Sequence, residues 1–312
     1  MQLGIQVSGV SRAFGSVQAV ADATLSVLPG SVTALIGPNG SGKTTLMLML
    51  ATLLAPDAGT ITINGHDPAT HPQLVRASMG WMPDVLGSWP SLTVRAALET
   101  TGRMYRLSRA TATARADELI SLTGLEELAD RPSRVLSRGQ KQRLSLARAL
   151  VHSPSVLLLD EPASGLDPAA RINLRELVRR LAGDGTAVLV SSHVLAELDE
   201  MADAAVYLTN GRTASPEALA RAGASSRAWR IRSLDAPALA SALTAIGVSP
   251  GITSVDKLGT LVQVTGEAAA VELLGRLIRA DVPVCDFGPA VGNLEHTFLD
   301  LNRGTDVMEQ GS

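Results

Sequence analysis

A single cysteine, Cys285, stands in 312 residues. An intrachain disulfide is thereby excluded, and so is a cysteine metal cluster; the thiol itself is expected to be small and buried. Aromatic residues are nearly as scarce, at 3%, so the core must be built from aliphatic side chains. Basic residues do not outnumber acidic ones: 27 Lys and Arg against 30 Asp and Glu leave a net charge of -3. The basic excess that accompanies nucleic-acid binding is missing, and no nucleic-acid partner is expected. No apolar run reaches the ~18 residues that a membrane span requires. The longest runs, LMLMLATLLA and VLLLD, have the lengths of a buried helix and a buried strand. The start, MQLGIQVSGVSRAFG, lacks a charged stretch followed by an apolar one, so no signal peptide is read. The expectation is a soluble, cytoplasmic chain, peripheral at the inner face of the cell membrane and reaching it only through a partner.

What is present is an aliphatic, globular chain, 46% apolar, long enough for one large or two modest domains. Residues 1–30 alternate apolar and polar positions, as antiparallel strands do. SVTALIG then runs into a glycine loop, and TTLMLMLATLLA follows as a helix. From about 91 to 150 the period turns helical, in SLTVRAALETTGRMYRL, ATARADELISLTGL and KQRLSLARALV. VLLLDE and AVLVSS are continuous apolar runs that suit central parallel strands, with RINLRELVRRLAGDG as the crossover helix between them. Composition loosens near 213–226, which reads as a linker. Beyond it the order is strand, helix, two strands, helix, strand and a last helix. That is a small α+β, ferredoxin-like domain over 226–304, behind a first domain over 1–215.

GPNGSGKT, Gly37 to Thr44, matches the phosphate-binding pattern G-x-x-x-x-G-K-[ST] in full. Glycines let the backbone wrap so that successive N–H groups face a phosphate. Lys43 brings a point charge to the β- and γ-phosphates, and the Thr44 hydroxyl can ligate Mg²⁺. The loop lies between a strand and a helix, as the pattern requires. No Asn is followed by Lys anywhere in the chain, which counts against guanine specificity. Asp160 and Glu161 sit at the end of an apolar strand, where ligands bind in open α/β sheets. Asp160 is placed to hold Mg²⁺ and Glu161 to polarise an attacking water. A second polar loop, LSRGQ, runs into a helix N-terminus, which favours anions. Taken blandly, Ser137 is an N-cap and Gln140 completes a capping box.

GPNGSGKTT, LSRGQ, LLLDEP, SGLD and SSH, in that order, resemble the ATP-binding cassette (ABC) ATPases over roughly residues 1–215. The resemblance implies an ATPase with MgATP at residues Gly37, Pro38, Asn39, Gly40, Ser41, Gly42, Lys43, Thr44 and Thr45. It also implies a mixed sheet with an antiparallel β subdomain and a helical subdomain. By the same resemblance, two copies pair head to tail, and Ser137, Arg138, Gly139 and Gln140 of one cover the γ-phosphate held by the other. It further places Phe14 on the adenine, Asp167 in the loop that meets the partner copy, and His193 at the γ-phosphate. The third signature residue is Arg138 where the family usually has Gly. A glutamine usual after the next strand is replaced by Asp84, an acid that can bind Mg²⁺ or its waters and adds negative charge near the phosphates.

A single cassette with a small α+β tail resembles the multidrug and antibiotic exporter branch. Such subunits energise separate integral-membrane permeases, docking through the helical block near 85–110. The alternatives are a soluble ABC ATPase without a permease, or a nucleotide-sensing module with little turnover. His66 and His71, in HDPATH, carry no metal-site reading, and His152 and His296 read as structural.

Overall fold

Val, Ile and Leu alternating with polar residues pair from the outset: β1 (Ile5–Phe14) and β2 (Val17–Val27) form an antiparallel hairpin, Phe14 opposite Val17. The structure, a computed structural model, describes residues 4–87 and 89–309 and falls into two units, 1–214 and 215–312. In the first unit β3 (Val32–Ile36) leads to α1 (Lys43–Leu50), and β4 (Ala58–Ile63) returns to the edge of β1. Next come α2 (Pro72–Ser78) and β5 (Met79–Met82), then the helical block α3 (Val94–Met104), α4 (Arg109–Leu122) and α5 (Arg138–Leu150). The chain re-enters the sheet as β6 (Val156–Asp160), crosses over through α6 (Pro168–Gly183) to β7 (Ala187–Ser191), and continues through α7 (Leu195–Met201), β8 (Ala204–Thr209) and β9 (Arg212–Thr213).

These strands form one nine-stranded mixed sheet in the order β4-β1-β2-β9-β8-β3-β7-β6-β5. The half from β8 to β5 is parallel, the half around β1, β2 and β4 antiparallel. Every residue of β3, β6 and β7 is buried, as expected of strands covered on both faces. Because β3, β5, β6 and β7 run the same way, their C-terminal ends deliver the phosphate loop, Asp84, Asp160 and the 191–193 turn to one edge of the sheet. The core beneath it is aliphatic, with Leu35, Leu46, Met47, Leu158 and Leu189 at its centre. Leu158→Ala is therefore expected to cost about 2–5 kcal/mol in chemical denaturation. A loss below about 1 kcal/mol would show that β6 is not packed as a central strand.

In the second unit α8 (Pro216–Gly223) precedes β10 (Ser226–Ser233), α9 (Ala236–Ala245), β11 (Thr253–Asp256), β12 (Gly259–Thr265), α10 (Glu267–Arg279), β13 (Val284–Pro289) and α11 (Asn293–Glu309). Its four strands are antiparallel in the order β11-β12-β10-β13. That is the ferredoxin-like arrangement, since the two β-α-β halves interleave. Ile231, Leu243, Val262, Leu273 and Leu277 form its separate core.

Three expectations need correction. The stretch taken for a linker holds α8, with the Ser215 hydroxyl accepting from Ala218 N–H and Pro216 at the first helical position; the capped start outweighs a loose Ala, Gly and Ser composition. The helix after the phosphate loop stops at Leu50 and does not run through LATLLA, because Thr52 takes a φ of 65°. Cys285 is exposed, not buried; it occupies a strand position whose side chain leaves the core, with Sγ 3.4 Å from the Arg232 carbonyl.

Candidate nucleotide-hydrolysis site

The phosphate loop is shaped by contacts that only glycine permits. A Cβ on Gly37 would stand 2.2 Å from the Leu208 carbonyl oxygen. One on Gly42 would stand 2.3 Å from that of Ala19, and Gly42 has a φ of 103°. The loop closes on itself through Ser41 N–H to the Pro38 carbonyl. Asn39 and Gly40 form its exposed tip, and Lys43, Thr44 and Thr45 make the first turn of α1. Leu46 N–H bonds back to the Gly42 carbonyl, so the N–H groups of the turn before it have no intrahelical acceptor. They are free to face a phosphate. The Lys43 ammonium donates to the carbonyls of Gly37 (2.7 Å) and Pro38 (3.0 Å). Two of its three donors thus aim it across the loop mouth. Burial lowers the Lys43 pKa, while the carboxylates of Glu161 and Asp160 act against that.

Asp160, the last residue of β6, is buried and accepts from the Ser191 hydroxyl at 2.6 Å. Burial raises its pKa; the Ser191 bond and Lys43 oppose the rise, and the charge of Asp84 adds to it. A buried carboxylate under the field of a second carboxylate is stabilised by a hard divalent cation. With the Thr44 hydroxyl, in the first turn of α1, these are oxygen donors of the kind that suits Mg²⁺. The acid found in place of glutamine is thus electrostatically linked to Asp160.

Glu161 follows immediately and is held from three sides. It adopts a φ of 51°, a left-handed conformation that costs a side-chain-bearing residue of order 1–3 kcal/mol. Its N–H donates to the Ser191 carbonyl (3.1 Å) and hydroxyl (3.2 Å). Its carboxylate accepts from the His193 N–H at 3.3 Å and meets His193 Nδ1 at 2.7 Å. Its carbonyl accepts from the Gln142 side-chain amide at 2.9 Å. His193, expected from the resemblance at the γ-phosphate, is in the structure the direct partner of Glu161. When Nδ1–H donates to the carboxylate, the imidazole has Nε2 left for a second partner.

The signature residues are assembled on the helical block. Ser137 is the N-cap of α5: its hydroxyl accepts from Gln140 N–H, and the Gln140 side chain accepts from Ser137 N–H, a complete capping box. Ser137 and Arg138 are exposed. The capping hydroxyl keeps its own proton for another acceptor. Arg138 turns back on its own chain and donates to Ser164 Oγ at 2.8 Å, lying across Gly165. Gly139 packs against the Gly165 carbonyl. Asp167 is the N-cap of α6, accepting from Ala170 N–H at 2.9 Å. Phe14, at the end of β1, exposes 49% of its surface with the Arg12 guanidinium 5.1 Å from the ring centroid, which leaves aromatic surface available to a planar base. Among the described residues no helix is long and apolar enough to cross a membrane.

Sequence reasoning missed Gln142. It lies two residues beyond LSRGQ inside a helix that reads as ordinary, yet it is 2% exposed. A polar side chain buried in an apolar helix face is the signal that pointed to it.

A family model described as ABC transporter matches residues 20–164. A daunorubicin/doxorubicin resistance ATP-binding protein of Streptomyces peucetius is 33% identical over 302 residues, which cover 95% of this chain and 92% of that protein. A sulfate/thiosulfate import ATP-binding protein of Synechococcus elongatus is 42% identical over 212 residues, 67% of this chain and 61% of that protein. Among solved structures, an ATP-binding subunit of an ABC transporter superposes with a TM-score of 0.64 at 30% identity, covering 70% of this chain and 92% of that one. A relative 33% identical over 95% of this chain, found for a chain whose phosphate loop and two successive acids share one sheet edge, makes this protein a member of the ABC transporter family, an ATP-hydrolysing subunit.

Proposed function

We propose that this subunit hydrolyses MgATP at a site shared between two copies of the chain, and drives a separate permease that exports a drug-like or lipid-like compound. The observation that carries the hydrolytic part is the placement of Asp160 and Glu161, at the end of β6, on the sheet edge that also carries the phosphate loop, with Glu161 meeting His193 Nδ1 at 2.7 Å. In this reading the loop N–H groups and Lys43 bind the β- and γ-phosphates, and Thr44, Asp160 and Asp84 hold Mg²⁺. Bound Mg²⁺ supplies charge neutralisation at the phosphates. Glu161, oriented by His193, takes the proton of the attacking water.

The two-copy arrangement is supported by Ser137, an exposed hydroxyl at a capped helix N-terminus, where an anion is favoured. Asp167, at the start of the neighbouring helix, is assigned to the same interface. Export is supported by likeness along nearly the whole chain to a drug-resistance protein. Likeness to the sulfate importer spans 212 residues, close to the extent of the first unit alone. Exposed Val85, in the loop after β5, and Met104, the last residue of α3, offer apolar surface to a permease.

The decisive experiment is the solution mass of Glu161→Gln with and without MgATP. The expected result is a shift from monomer to dimer on adding MgATP, abolished by Ser137→Arg. A mass that ignores MgATP would favour a nucleotide-sensing module over a clamping ATPase.

A further inference from the structure

We propose that Gln142 is a positioning residue for hydrolysis: its side-chain amide holds the backbone of Glu161 in the left-handed conformation that presents the carboxylate to the attacking water. The inference rests on the reading of Glu161 as the base. Three contacts bind the 161–166 segment to the first two turns of α5. Arg138 donates to Ser164, Gly139 packs on the Gly165 carbonyl, and Gln142 donates to the Glu161 carbonyl at 2.9 Å. Only the last acts on the residue that must carry the proton. Glu161 needs such a hold, because a φ of 51° is unfavourable for any side chain larger than glycine.

The Glu161 carbonyl also accepts from Ser164 N–H at 3.1 Å, a bond inside its own turn, so the Gln142 amide is the contact that ties this carbonyl to another element, α5. Pro162 has no N–H to donate. Pro162 and Gln142 both line a cleft of about 390 Å³ between α5 and α6, so one flank of the segment is open. The β7 side fixes the Glu161 N–H through Ser191, and Gln142, together with the Ser164 N–H of the same turn, fixes its carbonyl. Both ends of the residue are thus held, and its carboxylate lies 2.7 Å from His193 Nδ1. Gln142 itself is 2% exposed, and a buried amide without its acceptor would be left with an unsatisfied donor. The helix that begins at LSRGQ thus reaches the hydrolytic residue of its own chain.

The test uses the full chain and four proteins: the parent, Gln142→Met, Glu161→Gln and the double variant. Methionine matches the glutamine in length and has no N–H. Gln142→Met is expected to lower kcat about 10- to 100-fold, the scale of a misplaced reacting group. KM for ATP and the melting temperature should stay near those of the parent. In single-turnover assays on the Glu161→Gln background, Gln142→Met should add less than about twofold, because a residue that acts through Glu161 has nothing left to position. An unchanged kcat, a KM that rises as much as kcat falls, or an undiminished cost in the Glu161→Gln background would each overturn the proposal. If Gln142→Met does not fold, Gln142→Leu, which is apolar and has no side-chain donor, is judged by the same criteria. Should Glu161→Gln alone leave turnover intact, the reading of Glu161 fails first, and that outcome is distinct from a normal Gln142→Met.

Discussion

Glu161→Gln should slow steady-state ATP hydrolysis by ~10²–10⁴ while leaving ATP binding unchanged. The substitution isolates one property. An amide oxygen can still accept from the His193 N–H and from Nδ1–H, and the backbone bonds to Ser191 and Gln142 do not involve the side chain. Position and packing are kept; the ability to take a proton at neutral pH is lost. Binding is held by other groups, the loop N–H donors and Lys43. The check is a phosphate-release assay beside equilibrium binding of a fluorescent ATP analogue. Turnover within about threefold of the parent would remove Glu161 from the chemistry and leave Asp160 and Asp84 as the remaining acids of the site.

Lys43→Met should weaken ATP binding by about 10- to 150-fold, the loss of one hydrogen bond from a charged donor worth ~1.5–3 kcal/mol. The stem of the side chain is retained, so the effect is that of the ammonium. Its removal also leaves Asp160 and Glu161 without the cation that acts on them. ATP brings further negative charge to that same place, which adds to the loss. Stability should move little: burying the ammonium is itself unfavourable, as its lowered pKa shows. The measurements are isothermal titration with MgATP and a thermal melt without nucleotide. Unchanged affinity would mean that the backbone donors alone hold the phosphates.

The phosphate loop, the acids at the end of β6 and the signature loop were legible because each is a local pattern. A glycine is needed wherever another backbone comes close, as at Gly37 and Gly42, so spacing in the chain already encodes the loop. An apolar run as long as VLLLD reports a strand buried on both faces, and all five of its residues are buried. Likewise the capping box of Ser137 and Gln140 spans three residues and is set by local hydrogen bonding. The ferredoxin-like unit was legible from alternation and element order, since interleaved β-α-β halves allow few sheets.

Other features came from residues far apart in the chain. Nothing near Gln142 shows that it meets Glu161, 19 positions on. His193 reads as the end of a strand, and only the adjacency of β6 and β7 sets its ring against Glu161. Arg138 reads as a departure from a pattern until Ser164 and Gly165 are seen to receive its side chain. Small thiols are usually buried, which is what the sequence suggests for Cys285, whereas its place in β13 leaves it exposed. By itself, the sequence determined which chemical groups the chain carries: a glycine-rich loop opening a helix, two acids at the end of a buried strand, and a capped polar helix start. Tertiary structure alone decided which of these groups touch. Contact between distant residues depends on strand order and helix packing, and those are settled by burial of the whole apolar set and not by any local run of residues.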